Sequence, residues 1–157
     1  MSTKDFGMLR HIVPITAPAQ KTATFVTPNV AMKKYERVQF LVLLGTLATD
    51  SFTLTVTASA VTAGTTATAL TFKYRLSAAA GTDTLGDLSA GVTELVLTHT
   101  TYDNKVVVVE VDANELTADK PYVGLTFTDP GNADAYIGVV AVLSPRYPQA
   151  TNDGALT

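Results

Sequence analysis

Phe52-Thr53-Leu54-Thr55-Val56-Thr57-Ala58-Ser59 alternates apolar with hydroxyl-bearing residues over eight positions. Side chains of a strand point to opposite faces in turn, so this period of two predicts a strand with one face buried and one face wet. Leu70, Phe72, Tyr74 and Leu76 alternate with Thr71, Lys73, Arg75 and Ser77 in the same way and predict a second such strand. Between them Ala60 to Thr68 is small and polar around Gly64, and Ala78 to Gly91 carries Gly81, Gly86 and Gly91, so both stretches read as loops.

Strand signals continue in both directions. Tyr35 to Leu44 is a long strand candidate whose second half, Phe40-Leu41-Val42-Leu43-Leu44, is apolar on both faces. Further strands are expected at about Val92 to Thr98, Lys105 to Val111, Tyr122 to Thr128 and Ala135 to Leu143. Asp112-Ala113-Asn114-Glu115 has capping-box spacing and predicts one helical turn before Pro121. Asp129-Pro130-Gly131-Asn132 predicts the turn between the last two strands. Seven or eight strands without long helices predict an all-β fold, a β-sandwich of jelly-roll-like winding.

Three zones follow. Residues 1–34 hold three prolines and no period, which predicts an extended N-terminal arm. Residues 35–143 form the β-sandwich domain, and residues 144–157, opening Ser144-Pro145-Arg146-Tyr147-Pro148, form an extended C-terminal arm. Val106 to Val109 and Ile137 to Leu143 are apolar on both faces, so their outward sides need cover from an arm, a loop or another subunit.

Composition narrows the function. The 157 residues are 46% hydrophobic, with no cysteine, no tryptophan and two histidines. A chain of this length buries roughly 70% of its unfolded surface as one domain. Without cysteine there is no disulfide scaffold, thiolate nucleophile or sulfur-ligated metal. Roughly one residue in six is threonine, a β-branched residue suited to a pleated surface. Charged residues are 16% and the formal net charge is -3, too few charges for disorder and the wrong sign for a general nucleic-acid binder. No signal-peptide core, membrane-length apolar run or Asn-x-Ser/Thr sequon is present, so synthesis in a cytosol is expected.

The charges divide unevenly. Residues 1–37 carry six basic against two acidic side chains, +4, while the other 120 residues carry five against twelve, -7. A basic segment on an acidic body is a solvated strand start at Lys33-Lys34, a docking element for an acidic surface on a second copy or another protein, or a nucleic-acid contact, for which six scattered cations without a basic-aromatic cluster are a weak footprint.

Catalytic patterns are weak. His11 falls in the arm and His99 near a strand end, and no Gly-x-Ser-x-Gly elbow accompanies them. The loop glycines lack the Lys-Ser/Thr of a phosphate loop. Asp129, Asn132 and Asp134 supply too few oxygens for a calcium site on their own and read as hairpin residues. No catalytic residue, cofactor or metal is expected.

Several segments taken together resemble a known class. They are Val38-Gln39-Phe40-Leu41-Val42-Leu43-Leu44-Gly45, Leu70-Thr71-Phe72-Lys73-Tyr74-Arg75, Val106 to Leu116, Tyr122-Val123-Gly124-Leu125-Thr126-Phe127, and Val139 to Leu143 leading into Arg146-Tyr147. This order, over about residues 12 to 148, resembles small structural proteins of tailed bacteriophage virions, in particular head decoration or cement proteins. The resemblance implies a non-enzymatic protein made in the host cytoplasm and resident on the phage head, where it binds the assembled capsid and stabilises it by bridging subunits. Its expected partners are the major capsid protein and further copies of itself, with no membrane or nucleic acid. Phe6, Met8, Leu9 and Arg10, Lys33 and Lys34, and Arg146 and Tyr147 are the expected capsid or subunit contacts. Two other readings stay open: a tail or neck subunit, and a carbohydrate-binding attachment module using Tyr102 and Tyr136 as exposed aromatics.

Overall fold

In the computed structural model, which describes residues 9–48, 52–131, 134–147 and 154–156, two antiparallel sheets face each other across a shared apolar core. The chain is a β-sandwich. The strands are β1 (His11–Lys21), β2 (Phe25–Val26), β3 (Val30–Ala31), β4 (Tyr35–Leu47), β5 (Phe52–Ser59), β6 (Thr68–Ala69), β7 (Lys73–Leu76), β8 (Leu95–Leu97), β9 (Val106–Asp112), β10 (Tyr122–Thr128) and β11 (Ala135–Pro145). The first sheet runs β1-β11-β4-β9-β7. The second runs β2-β10-β5-β6, with β3 also on β10 and β8 also on β5. From β4 onward the chain passes repeatedly between the sheets, so strands near in sequence often lie in opposite layers.

The alternation works as expected. Val38, Phe40 and Val42 of β4, Val107 and Val109 of β9, and Ile137, Val139, Ala141 and Leu143 of β11 are buried. They meet Leu54 and Val56 of β5 and Val123, Leu125 and Phe127 of β10. Phe25 stacks on Phe127 at 4.6 Å between ring centroids. Thr53, Thr55 and Thr57 of β5 take the outward side, in register with Thr128, Thr126 and Gly124 of β10. The outer surface of the second sheet is therefore threonyl, which accounts for part of the compositional bias.

The period-2 run Leu70 to Ser77 is not one strand. Thr68–Ala69 pairs with β5 in the second sheet, Phe72 bridges Val92, and Lys73–Leu76 pairs with β9 in the first sheet. Both sheets share one core, so a crossover keeps the alternation while changing partners. The following loop lies along the free side of β7: the Ser89 N–H donates to the Tyr74 carbonyl at 2.9 Å and the Gly86 N–H to the Leu76 carbonyl at 2.8 Å.

The segment expected as an N-terminal arm is extended, and from His11 onward it lies within the sheets. β1 pairs with β11 from His11↔Leu143 to Lys21↔Ala135, interrupted by two irregularities, and buries Val13 and Ile15. Pro14 and Pro18 are compatible with this because β1 is an edge strand, where missing amide donors cost little. Pro18 lies directly over Gly138: a Cβ there would come within 2.8 Å of the proline ring. Between β2 and β3 the buried Thr27 and Asn29 hold the edge of β10. The Leu125 N–H donates to Thr27 Oγ1 at 3.0 Å, and Asn29 Nδ2 donates to the Thr62 carbonyl at 2.8 Å.

The C-terminal zone likewise returns to the body. Ser144 and Pro145 complete β11, the Arg146 N–H donates to the Lys34 carbonyl at 3.0 Å, and the Ala155 carbonyl accepts the Ala31 N–H at 2.9 Å. The expected turn at Ala113–Glu115 is a single 3-10 turn, with the Asp112 N–H donating to the Glu115 carboxylate at 2.9 Å.

Candidate interaction surface

The first sheet has an unusual outer face. Strand register aligns Ile12, Val142, Gln39, Glu110 and Lys73 in one row across β1, β11, β4, β9 and β7. Pro14, Val140, Leu41, Val108 and Arg75 form the next row, and Gly138, Leu43 and Val106 the third. These positions alternate with the buried ones and so point away from the core. Ile12 and Leu43 are 49% and 39% exposed, whereas Val108 is buried and Gly138 is covered by Pro18. The outward sides of Val106 to Val109 and of β11, where sequence alone calls for cover, thus form part of a continuous apolar band.

Its size can be gauged. Strands about 4.8 Å apart and same-face residues about 6.8 Å apart give the band a few hundred Å2. That is near the upper range for one patch on a soluble monomer and below the ~800 Å2 per partner of a standard stable interface. Alone, the band supports weak contact.

A basic end adjoins it. A polar cavity of about 570 Å3 is lined by Arg10, Glu36, Arg37, Asp112, Ala113, Asn114, Ser144 and Arg146. Arg37 is held by Asp112, with Nε to Oδ1 at 2.6 Å and a terminal nitrogen to Oδ2 at 3.3 Å. Arg146 Nε donates to the Tyr35 carbonyl at 3.1 Å, and Arg10 donates to the Leu9 carbonyl at 2.8 Å. Lys33 shares a second, smaller cavity with Arg146, and Lys33 and Lys34 share a third with Tyr35 and Tyr122.

Of the expected contact residues, Arg10, Lys33, Lys34 and Arg146 therefore converge on one end of the sandwich, although more than a hundred positions separate the first from the last. Leu9 and Tyr147 flank them in sequence and are exposed, Tyr147 by 76%. Phe6 and Met8 lie outside the described residues. Arg37, Glu36, Asp112 and Ser144 were not anticipated. Arg37, Glu36 and Asp112 signal only through their charge and Ser144 not at all, and the pairings Arg37↔Asp112 and Ser144↔Arg37 bring three of the four together.

The remaining candidates are placed as follows. His11 Nδ1 and the Tyr35 hydroxyl lie 2.6 Å apart in a hydrogen bond, and burial lowers the His11 pKa. His99 lies two residues beyond the end of β8, as expected, and opens a helical turn, His99–Tyr102. Tyr102 is buried, 3.4 Å from the Tyr74 hydroxyl, and burial raises its pKa first, that hydrogen bond second. It presents no ring for stacking on a sugar. Tyr136 is 52% exposed beside Gly45 on the outer face of the first sheet. Asp129 accepts the Gly131 N–H at 2.8 Å within its turn, Asp134 accepts Gln20 Nε2 at 2.8 Å, and Asn132 lies outside the described residues. Among the described residues no group of three or more His, Asp or Glu is arranged to hold a metal, and no helix is long and apolar enough to cross a membrane.

No family model matches this chain, and no curated protein matches its sequence. The crystal structure of the SPBc2 prophage-derived protein YomS is similar to it, with a TM-score of 0.46 and 10% identity over 86% of this chain and 94% of that one. A likeness at that score and identity supports no transfer of function.

Proposed function

We propose that this protein is a non-enzymatic structural subunit of a tailed-phage particle, a decoration or cement protein that docks on the assembled head and bridges capsid subunits. The observation that carries this reading is the apolar outer face of β1, β11, β4 and β9 running into a basic end. That combination supplies apolar anchors for affinity and charges for orientation. The resemblance of the strand segments to head decoration proteins supplies the particle.

The small area of the apolar band fits such a role. Weak contacts suffice when many copies sit on a repeating shell or when copies associate with one another, because linked contacts raise avidity without new chemistry. The expected partners remain the major capsid protein and further copies of this chain.

The test is co-sedimentation of the purified protein with undecorated heads, together with the thermal stability of those heads. The wild type binds and raises shell stability, while Leu43→Asp and Arg10→Glu lower occupancy without unfolding the protein. Equal occupancy for wild type and both variants contradicts the proposed surface. Stable rings of the free protein by sedimentation velocity favour the tail or neck reading instead. Deleting residues 1–21 is a poor substitute, since it removes β1 and uncovers the core beneath Val13 and Ile15.

A further inference from the structure

We infer that the cavity between Arg10 and Arg146 is a carboxylate-binding site that takes an acidic side chain from a neighbouring protein segment. The partner's identity rests on the docking role proposed above; the chemistry of the site rests on the cavity alone.

Three arginines reach this cavity in different states. Arg37 is already matched to Asp112 through two nitrogen-oxygen contacts, so its charge is largely met within the protein. Among the described residues Arg146 commits only Nε, to the Tyr35 carbonyl, which fixes the plane of the guanidinium and leaves both terminal nitrogens. Arg10 commits one terminal nitrogen, to the Leu9 carbonyl. Neither Arg10 nor Arg146 has a carboxylate partner among the described residues. Both guanidinium groups line this cavity with donors unmatched among the described residues, and such donors suit the planar, two-oxygen geometry of a carboxylate.

Charge decides between an acidic peptide and a nucleic acid. Glu36 and Asp112 also line the cavity, so three cations face two anions and the local excess is one. Phosphate backbones need a stripe of cations to release counterions. A single carboxylate on a protein surface of mixed sign needs only this local excess. Glu36 competes for the same guanidinium groups and weakens the site.

The test uses a fluorescently labelled hexaglutamate peptide as probe, with oligothymidylate and inorganic pyrophosphate as comparisons at matched salt. The wild type binds hexaglutamate more tightly than either comparison. Arg10→Ala and Arg146→Lys each weaken it roughly tenfold, the second because lysine keeps the charge and loses the fork. Glu36→Gln tightens it. Circular dichroism and melting of each variant separate a lost site from a lost fold, and Arg10, being exposed, is the cleaner position. The inference is overturned if hexaglutamate does not bind, if both arginine variants bind it as the wild type does, or if oligothymidylate or pyrophosphate binds more tightly. Peptide binding needs no particle. Its absence overturns the site even where the protein decorates heads, and its presence upholds the site even where the protein does not.

Discussion

Gly124→Ala tests whether residues 27–31 are locked into the body. A Cβ at Gly124 would lie 2.0 Å from Asn29 Oδ1 and 3.1 Å from its Cγ, so the Asn29 side chain must retreat by about 1.4 Å or more to reach ordinary contact. Asn29 is only 7% exposed, and its amide donates to the Thr62 carbonyl at 2.8 Å. Retreat breaks that bond, at about 1–3 kcal/mol for a buried polar group left unmatched. Overpacking adds about 1–3 kcal/mol, and replacing a strand glycine with alanine returns about 0.5–1 kcal/mol. The net expectation is a loss of about 1–5 kcal/mol, centred near 3, read as a lower urea midpoint at unchanged slope. Asn29→Ala alone loses about 1–3 kcal/mol, and in the double variant the clash is gone. The two effects should therefore fall short of additive by at least ~1 kcal/mol. A Gly124→Ala protein within ~0.5 kcal/mol of wild type, or strict additivity, refutes the reasoning and returns this segment to the status of a loose arm.

Other outcomes are expected. The folded-state pKa of His11 is lowered from 6.5, so the unfolded chain binds the extra proton first; the contribution is full above about pH 6.5 and is lost as pH falls through the folded value. Thermal melts between about pH 5 and 8 should show a steeper acid-side loss for wild type than for His11→Gln. Gly138→Ala should destabilise by about 1–3 kcal/mol because the new Cβ meets Pro18 Cγ at 2.8 Å and Cα at 3.1 Å, which chemical denaturation will read. Leu43→Asp, on the outer face, should change the urea midpoint little, within ~0.5 kcal/mol, while lowering any self-association seen by sedimentation.

Much of the sandwich is legible along the chain because local alternation and burial agree. Phe52–Ser59 and Tyr122–Thr128 have the expected bounds, and the Asp112–Glu115 capping spacing forms its turn. Two failures share a cause: local pattern does not name a partner strand. Leu70 to Ser77 keeps its period while crossing between sheets, and His11–Lys21 has a proline content that fits an arm and an edge strand equally. The basic end was hidden for the same reason. Arg10 and Arg146 are distant in sequence, and only the antiparallel pairing of β1 with β11 and β11 with β4 brings them to one cavity. The apolar band left a trace, since Val106 to Val109 and Ile137 to Leu143 are apolar on both faces. Its outer half could not be told from a second buried side without the sheet order.

Hydroxyl-radical footprinting of the protein, free and bound to undecorated heads, tests the central claim most directly. Docking through the first sheet predicts that Ile12, Leu43 and Tyr136 lose reactivity on binding, while Val26 and Val96 on the second sheet keep theirs. Protection of Val26 and Val96 with Ile12, Leu43 and Tyr136 unchanged would contradict it.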